Sequence, residues 1–361
     1  MESLALTMFN DLFRGKRVLV TGHTGFKGSW LSLWLTKLGA RVTGLSLAPE
    51  TTPSHWDLLA LPDVTDLRID LRNAKAVATA VVNAQPEIVF HLAAQPLVRR
   101  SYRQPVETFD TNVMGLVHLL EAIRTTDSVR VFVNATTDKI YAEHDTAQGY
   151  AESAPLGGHD PYSTSKACAE LVTESYRKSF LGQQVRMATA RAGNVIGGGD
   201  WSEDRLVPDI VRACVSGNTL LIRNPQAIRP WQHVLEPLSG YLRLAETAWE
   251  EGLDSNAWNF GPRPDADLPV TSIVEAARLQ WPRFDVAHDT DHHPHEAAVL
   301  RLDSRLAETK LGWRPVWTPE TAIARTIQWY RAFHDDGTLG TARDLDAYTI
   351  EAKSQGAPWA E

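Results

Sequence analysis

The chain has 361 residues, 43% of them apolar and 22% charged, with a formal net charge of -8. That length suits one large α/β domain or two intimate sub-domains, with enough residues for a substantial core. The acidic balance and the lack of any Lys/Arg-rich run argue against nucleic acid or an anionic membrane as partner, although local positive charge could still hold an anionic substrate.

Residues 1–13 carry Glu2 and Asp11 and lack a basic stretch followed by an apolar core, so they do not read as a secretory signal. No stretch approaches the roughly 18 apolar residues of a membrane span. Cys168 and Cys214 are the only cysteines, too few for a disulfide framework or a zinc site, which fits a reducing cytoplasm. The twelve tryptophans are expected in the core.

Residues 16–21 (KRVLVT) read as a buried strand, 22–28 as a tight glycine loop, and 29–38 as a helix that Gly39 ends. Residues 41–47 give a second strand, completing a βαβ unit with a right-handed crossover. The alternation continues with strands at 67–69, 87–92, 129–134 and 185–190, and helices near 73–84, 105–124 and 161–180. This rhythm predicts a Rossmann-type, doubly wound parallel sheet with helices on both faces. After about residue 195, Gly and Pro become frequent and shorter helices are expected near 205–216, 234–251, 270–279 and 319–335. We therefore expect a dinucleotide-binding domain over 1–195 and a smaller substrate-facing region over 196–361, interleaved with the sheet. From about residue 337 the chain is polar and is expected to be loosely attached.

The loop Thr21-Gly22-His23-Thr24-Gly25-Phe26-Lys27-Gly28 has the spacing TGxxGxxG between a strand and a helix. Its glycines let the backbone turn sharply against a pyrophosphate, whose charge faces the helix N-terminus. This predicts NAD binding through Gly22, His23, Gly25, Phe26, Lys27 and Gly28. Lys27 has two open readings, neutralising a phosphate or pointing to solvent. The acid that usually binds the ribose hydroxyls at the end of the second strand is missing, leaving Ser46 to give one weaker hydrogen bond. Asp70 has even claims as partner of the adenine amino group and as a helix cap. Leu71, Leu92, Ala93 and Ala94 complete the cofactor-binding candidates.

Tyr162 and Lys166 stand at i and i+4, on one face of a helix that follows Pro161. A neighbouring ammonium favours phenolate, so the pair is expected to make a base usable near neutral pH. Thr137, Asp138 and Lys139 directly follow the strand at 129–134, where open α/β sheets place ligands. They should project into the same cleft.

These residues stand in longer stretches: VTGHTGFKGSWLSLWL at 20–35, FHLAAQPLVRRSY at 90–102, TTDKIY at 136–141, GGHDPYSTSKACAEL at 157–171, RAGNVIGGGDW at 191–201, RLVPDIVRA at 205–213, IRNPQAIRPWQHVLEPLSGYL at 222–242, and HEA and LGWRPVW at 295–297 and 311–317. Across nearly the whole chain they resemble the nucleotide-sugar branch of the extended short-chain dehydrogenases, and within it the CDP-glucose 4,6-dehydratases. The resemblance implies a hydro-lyase that converts CDP-D-glucose to CDP-4-dehydro-6-deoxy-D-glucose and water, with NAD regenerated each turnover, in deoxysugar biosynthesis for lipopolysaccharide O-antigen. It implies that Tyr162 takes the proton of the sugar 4-hydroxyl, Thr137 hydrogen-bonds the same oxygen, Asp138 protonates the departing C6 hydroxyl and Lys166 holds the nicotinamide ribose.

Related dTDP-glucose dehydratases have Glu where this chain has Lys139, which leaves the C5 base open: Lys139 serves only if burial or a neighbouring cation deprotonates it. The CDP branch usually has Ser-Asp-Lys-Cys-Tyr where this chain has Thr-Asp-Lys-Ile-Tyr, which keeps the hydroxyl. The resemblance also assigns Asn194, Arg229 and His295 to the substrate diphosphate, makes Asn112 an active-site helix Asn, and implies a homodimer or dimer of dimers through a bundle of the helices at 105–124 and 161–180. The spacing of His292, His293 and His295 gives no metal site. The alternatives are another nucleotide-sugar dehydratase, a 4-epimerase, and a catalytically silent NAD-binding scaffold. The Asp138–Lys139 pair argues against the epimerase, and the intact Thr137, Tyr162 and Lys166 against the scaffold.

Overall fold

The computed structural model describes residues 8–143, 149–263, 268–289 and 300–361. Seven strands among them form one parallel sheet: β1 (Arg17–Thr21), β2 (Arg41–Ser46), β3 (Thr65–Arg68), β4 (Ile88–His91), β5 (Val131–Ala135), β6 (Arg186–Arg191) and β7 (Ala257–Asn259), in spatial order β7-β6-β5-β4-β1-β2-β3. The chain runs outward from β1 through β2 and β3, then returns to lay β4 on the other side of β1. This reversal opens a crevice at the carboxyl ends of β1 and β4, the place where such sheets bind ligands.

The helices among the described residues are α1 (Phe26–Lys37), α2 (His55–Leu59), α3 (Ala74–Ala84), α4 (Val98–Arg103), α5 (Pro105–Phe109), α6 (Gly115–Arg124), α7 (Pro161–Tyr176), α8 (Leu206–Ser216), α9 (Leu235–Glu250), α10 (Val270–Gln280), α11 (Arg305–Leu311), α12 (Pro319–Asp336) and α13 (Thr341–Ser354). The central strands β1, β4, β5 and β6 are buried on both faces, with side chains alternating between them, while the edge strand β3 is largely exposed. Val18 and Val20 of β1 pack with Trp30 and Trp34 of α1 and with Leu238 and Tyr241 of α9. Leu19 points the other way, to Val77 and Val81 of α3, and Leu116 and Leu120 of α6. A further core, including Ile210, Ile273, Ile323 and Trp329, joins α8, α10 and α12.

Local chemistry sets the ends of the elements that matter most. Gly39 adopts φ +79° just after α1, a conformation glycine takes without a Cβ penalty. Asp160 caps α7 by accepting from the Ser163 N–H, with Pro161 at the first helical position. The helical stretch expected at 105–124 is α5 and α6 joined by a π-turn, Asp110–Met114. Inside that turn Asn112 is buried, and its amide donates to the Gln95 carbonyl and the Ser165 hydroxyl, bracing α7.

The expectation of a loosely attached tail is wrong. Helix α13 buries Leu345, Tyr348 and Ala352, and Trp359 beyond it stacks on Phe9 with ring centres 5.1 Å apart. The Tyr348 hydroxyl donates to Glu236 at the start of α9, 2.7 Å away. The polar average of this segment concealed an amphipathic helix that turns Leu345, Tyr348 and Ala352 to the core.

Candidate active site

The crevice widens into a cleft of about 740 Å3 that runs from the glycine loop to the carboxyl ends of β4, β5 and β6. Gly22 has φ +75°, and a Cβ there would lie 2.7 Å from the Ala93 backbone nitrogen. At Gly28 it would lie 2.0 Å from the Gly22 carbonyl oxygen. Only glycine keeps this cradle folded, with its backbone and the α1 N-terminus open to a pyrophosphate. Gly25, Phe26, Ser46, Asp70, Leu71, Leu92, Ala93 and Ala94 also line the cleft, so these sequence candidates come together.

His23 does not join them. Its ring is fully buried beneath the loop, with Nε2 2.9 Å from an Asp66 carboxylate oxygen and its face against the edge of Trp56. A Cβ on Gly44 would come within 2.2 Å of this ring, so β2 makes room for it. The assignment of His23 to the cofactor is therefore corrected: the side chain ties the loop to β3. Ser46 shares a hydrogen bond with Thr24, at 2.9 Å. Asp70 is gripped by the Arg72 guanidinium, which lowers its pKa, and Asn73, not Asp70, caps α3.

Lys27 lines the cleft, half-buried, with Nζ 3.5 Å from the Tyr241 hydroxyl. Burial first, then the charges of Arg205 and Lys166, push its pKa down to about 7. The solvent-pointing alternative is thereby excluded.

The acid–base candidates meet across the cleft. Thr137, Asp138 and Lys139 follow β5, and Tyr162 and Lys166 face them from α7. The Thr137 side chain lies close enough to Tyr162 to favour its phenolate. One Asp138 carboxylate oxygen accepts from the Thr137 hydroxyl at 3.0 Å and from Lys139 Nζ at 3.2 Å. The other, Oδ2, is buried without a hydrogen-bond partner in the protein. A Cβ on Gly193 would overlap this oxygen, so glycine there leaves room for the carboxyl.

The expectation of a lowered Tyr162 pKa is not met by the protein's own groups. Lys166 directs its ammonium to the Ala135 carbonyl, 2.8 Å away, and burial pushes Tyr162 up to about 12. Burial also brings Lys166 down to about 8, opposed by the Glu170 carboxylate. Removal from water is the largest cause of both shifts.

On the substrate side, Asn194, with φ +38°, and the buried Arg229 line the cleft. Arg229 donates to the Ile228 carbonyl at 3.0 Å. His295, with His292 and His293, lies outside the described residues. Among the described residues no three or more His, Cys, Asp or Glu side chains gather as metal ligands.

Reading the sequence missed Arg205, which lines the same cleft and pairs with the buried Asp200 at 2.8 Å. Its only signal was an arginine at the start of the predicted helix at 205–216. Also missed were Arg99 and Arg100 of α4. Arg99 pairs with Asp204 at 3.1 Å, and Arg100 with Glu50 at 2.8 Å and Glu203 at 3.5 Å. These pairs link the loop after β2, α4 and the loop before α8 around the cleft. The cleft lining holds Lys and Arg, with Lys27, Lys139, Lys166, Arg205 and Arg229 among them, in the same number as Asp and Glu, so it is neutral where the whole chain is acidic.

The model of the NAD dependent epimerase/dehydratase family matches residues 18–261. The chain is 47% identical over 351 residues to a CDP-glucose 4,6-dehydratase of Salmonella typhimurium, covering 94% of this chain and 97% of that protein. Among solved structures, a dTDP-glucose 4,6-dehydratase of Streptomyces venezuelae with NAD bound is 25% identical, with a TM-score of 0.74 over 88% of this chain and 98% of that one. An epimerase from Methanothermobacter thermautotrophicus, 21% identical with a TM-score of 0.82, covers 92% of this chain and 97% of its own, and shares the fold. The chain belongs to the NAD dependent epimerase/dehydratase family.

Proposed function

We propose that this chain is a hydro-lyase that dehydrates CDP-D-glucose to CDP-4-dehydro-6-deoxy-D-glucose, using NAD as a resident catalyst. The observation that carries this reading is Asp138, a buried carboxyl with one unpartnered oxygen beside Thr137 and Tyr162. A 4-epimerase has no need of a further acid at this point; loss of the C6 hydroxyl as water does. The 47% identity to a CDP-glucose 4,6-dehydratase supports the choice of sugar and base.

The residues present fit NAD. Gly22, Gly25 and Gly28 leave the cradle that a pyrophosphate needs, Phe26 and Lys27 flank it, and Ser46, Asp70 and Leu71 lie along the adenosine end. Leu92, Ala93 and Ala94 form the wall towards Lys166, which holds the nicotinamide ribose. Bound NAD supplies hydride acceptance from sugar C4 and hydride return to C6. Tyr162 takes the 4-hydroxyl proton and Thr137 steadies that oxygen. Asp138 gives a proton to the departing C6 hydroxyl. Lys139 already donates to Asp138. Lys139, held against Asp138 at the reacting end of the cleft, is the candidate base for the C5 proton. Asn194, Arg229 and His295 bind the diphosphate.

The same reading places the enzyme in the cytoplasm, in keeping with two free cysteines. It makes the enzyme a homodimer or dimer of dimers through α5, α6 and α7, where Val106 and Leu171 are exposed. Its product enters deoxysugar synthesis for lipopolysaccharide O-antigen.

Incubation with NAD and, separately, CDP-, UDP- and dTDP-glucose tests the proposal. A 4-keto-6-deoxy product from CDP-glucose, carrying deuterium at C5 when made in D2O, is expected. Turnover of another nucleotide sugar in preference to CDP-glucose would overturn the base assignment, and 4-epimer without dehydration would overturn the reaction.

A further inference from the structure

Behind the cleft lies a buried polar network that none of the proposed steps uses. Glu170 sits on α7 one turn beyond Lys166 and is 5% exposed. Its Oε1 accepts from the Thr136 hydroxyl at 2.5 Å and from Arg191 Nε at 3.0 Å. Its Oε2 accepts from the Thr189 hydroxyl at 2.6 Å and Arg191 Nη2 at 2.9 Å. Arg191, also buried, donates on to the Tyr141 hydroxyl at 2.8 Å and the Glu152 carbonyl at 2.9 Å. Tyr141 in turn donates to Asn259 of β7 at 2.7 Å.

One carboxylate thus receives hydrogen bonds from three residues and joins three elements. Thr136 is the residue immediately before Thr137 and Asp138, Thr189 and Arg191 are on β6, and Glu170 itself is on the helix that carries Tyr162 and Lys166. The Thr136 bond ties the loop that carries Thr137 and Asp138 to α7, and the three bonds from Thr189 and Arg191 hold the same carboxylate against β6. Proton transfer needs the spacing between loop and helix held within hydrogen-bond reach.

We infer that Glu170 is a positioning residue for the dehydration: through Thr136 it sets the acid-bearing loop against Tyr162. The inference rests on the roles proposed above for Thr137, Asp138, Tyr162 and Lys166. The Glu170 charge also acts on Lys166, one turn away on the same helix. Lys166 faces Tyr162 and Glu170 from its own helix, Lys27 from the glycine loop and His91 from β4. Glu170 is the anion of that set and raises the proton affinity of Lys166 against burial. Its removal therefore shifts Lys166 deprotonation to lower pH.

Two variants of the full-length enzyme test this. Thr136→Val leaves the Glu170–Arg191 pair whole and removes only the link to the loop. We expect kcat to fall about tenfold or more with KM for the nucleotide sugar little changed, since one lost hydrogen bond relaxes the loop without touching bound substrate. Thr136→Ser, which keeps the hydroxyl, restores the rate. Glu170→Gln is expected to move the alkaline limb of the kcat profile to lower pH. Because it also strands a buried arginine and can fail to fold, Thr136→Val decides the matter alone in that case. A wild-type rate in Thr136→Val, or an unmoved alkaline limb in folded Glu170→Gln, overturns the positioning role while leaving the dehydration intact. Wild-type protein that forms no 4-keto sugar from CDP-, UDP- or dTDP-glucose overturns the dehydration, and the positioning role with it.

Discussion

At Asp138 two demands meet: the carboxyl is almost fully buried, and the proposed chemistry has it exchange a proton with substrate. The buried carboxyl keeps one oxygen for Thr137 and Lys139 and leaves the other unpartnered. Asp138→Asn retains the shape and removes the acid. Its dehydration rate should fall by about 10²–10⁴, with NAD binding, followed by fluorescence titration, unchanged. Retention of the full rate would rule out the C6 acid role. The sequence revealed this residue, with Thr137, Tyr162 and Lys166, because spacing on a helix and position after a strand are local properties. It misplaced His23, because whether a side chain in a loop points into the cleft or under it depends on Asp66 and Gly44, which are remote in sequence.

Elements hold the site at two places that can be probed separately. The glycine cradle joins β1 to α1, and a methyl at Gly28 would collide with the Gly22 carbonyl. Gly28→Ala is therefore expected to abolish NAD binding; an unchanged Kd in isothermal titration would show that the cradle yields. The ion pairs of Arg99 and Arg100 with Asp204, Glu50 and Glu203 connect three loops and helices around the cleft. Glu50 and Glu203 are at least half exposed, so each of their pairs contributes no more than about 1 kcal/mol to stability. Arg100→Ala should leave the melting temperature within a few degrees. It should speed NAD release, and the salt dependence of release should weaken, as stopped-flow displacement would report. Helix and strand periodicity identified most elements, but β7 has three residues and α11 seven. Segments this short carry too little pattern to be recognised before their partners are known.

Over the whole molecule, burial of polar groups sets the response to acid. His55, His91 and His233 are nearly or fully buried, and burial pushes the pKa of each down to about 3. A folded-state pKa below the ordinary imidazole value near 6.5 contributes stability that is present above that pH and is lost as pH falls toward 3. Urea unfolding should show the midpoint dropping between pH 7 and 5, by at most about 1.4 kcal/mol per histidine per pH unit. A flat profile over that range would mean that these rings are not buried neutral. The tail offers a second test at this scale. Trp359 is fully buried among Phe9, Trp34 and Tyr348, so Trp359→Ala should cost about 3–5 kcal/mol, read from the same unfolding curves. A loss below about 1 kcal/mol would return the tail to the loose attachment that its polar composition suggested.

The sequence by itself determined the parallel α/β sheet, the glycine cradle and the acid–base set, since strand alternation, glycine spacing and the i, i+4 pair of Tyr162 and Lys166 act over a few residues. Tertiary structure decided everything that depends on what is removed from water and by which partner. It put His23 under the loop and Lys27 in the cleft, raised Tyr162 where a lowered value was expected, and docked α13. It also gathered Thr136, Thr189 and Arg191 on the Glu170 carboxylate. Burial and long-range hydrogen bonding are set by the path of the whole chain, and no window of sequence contains them.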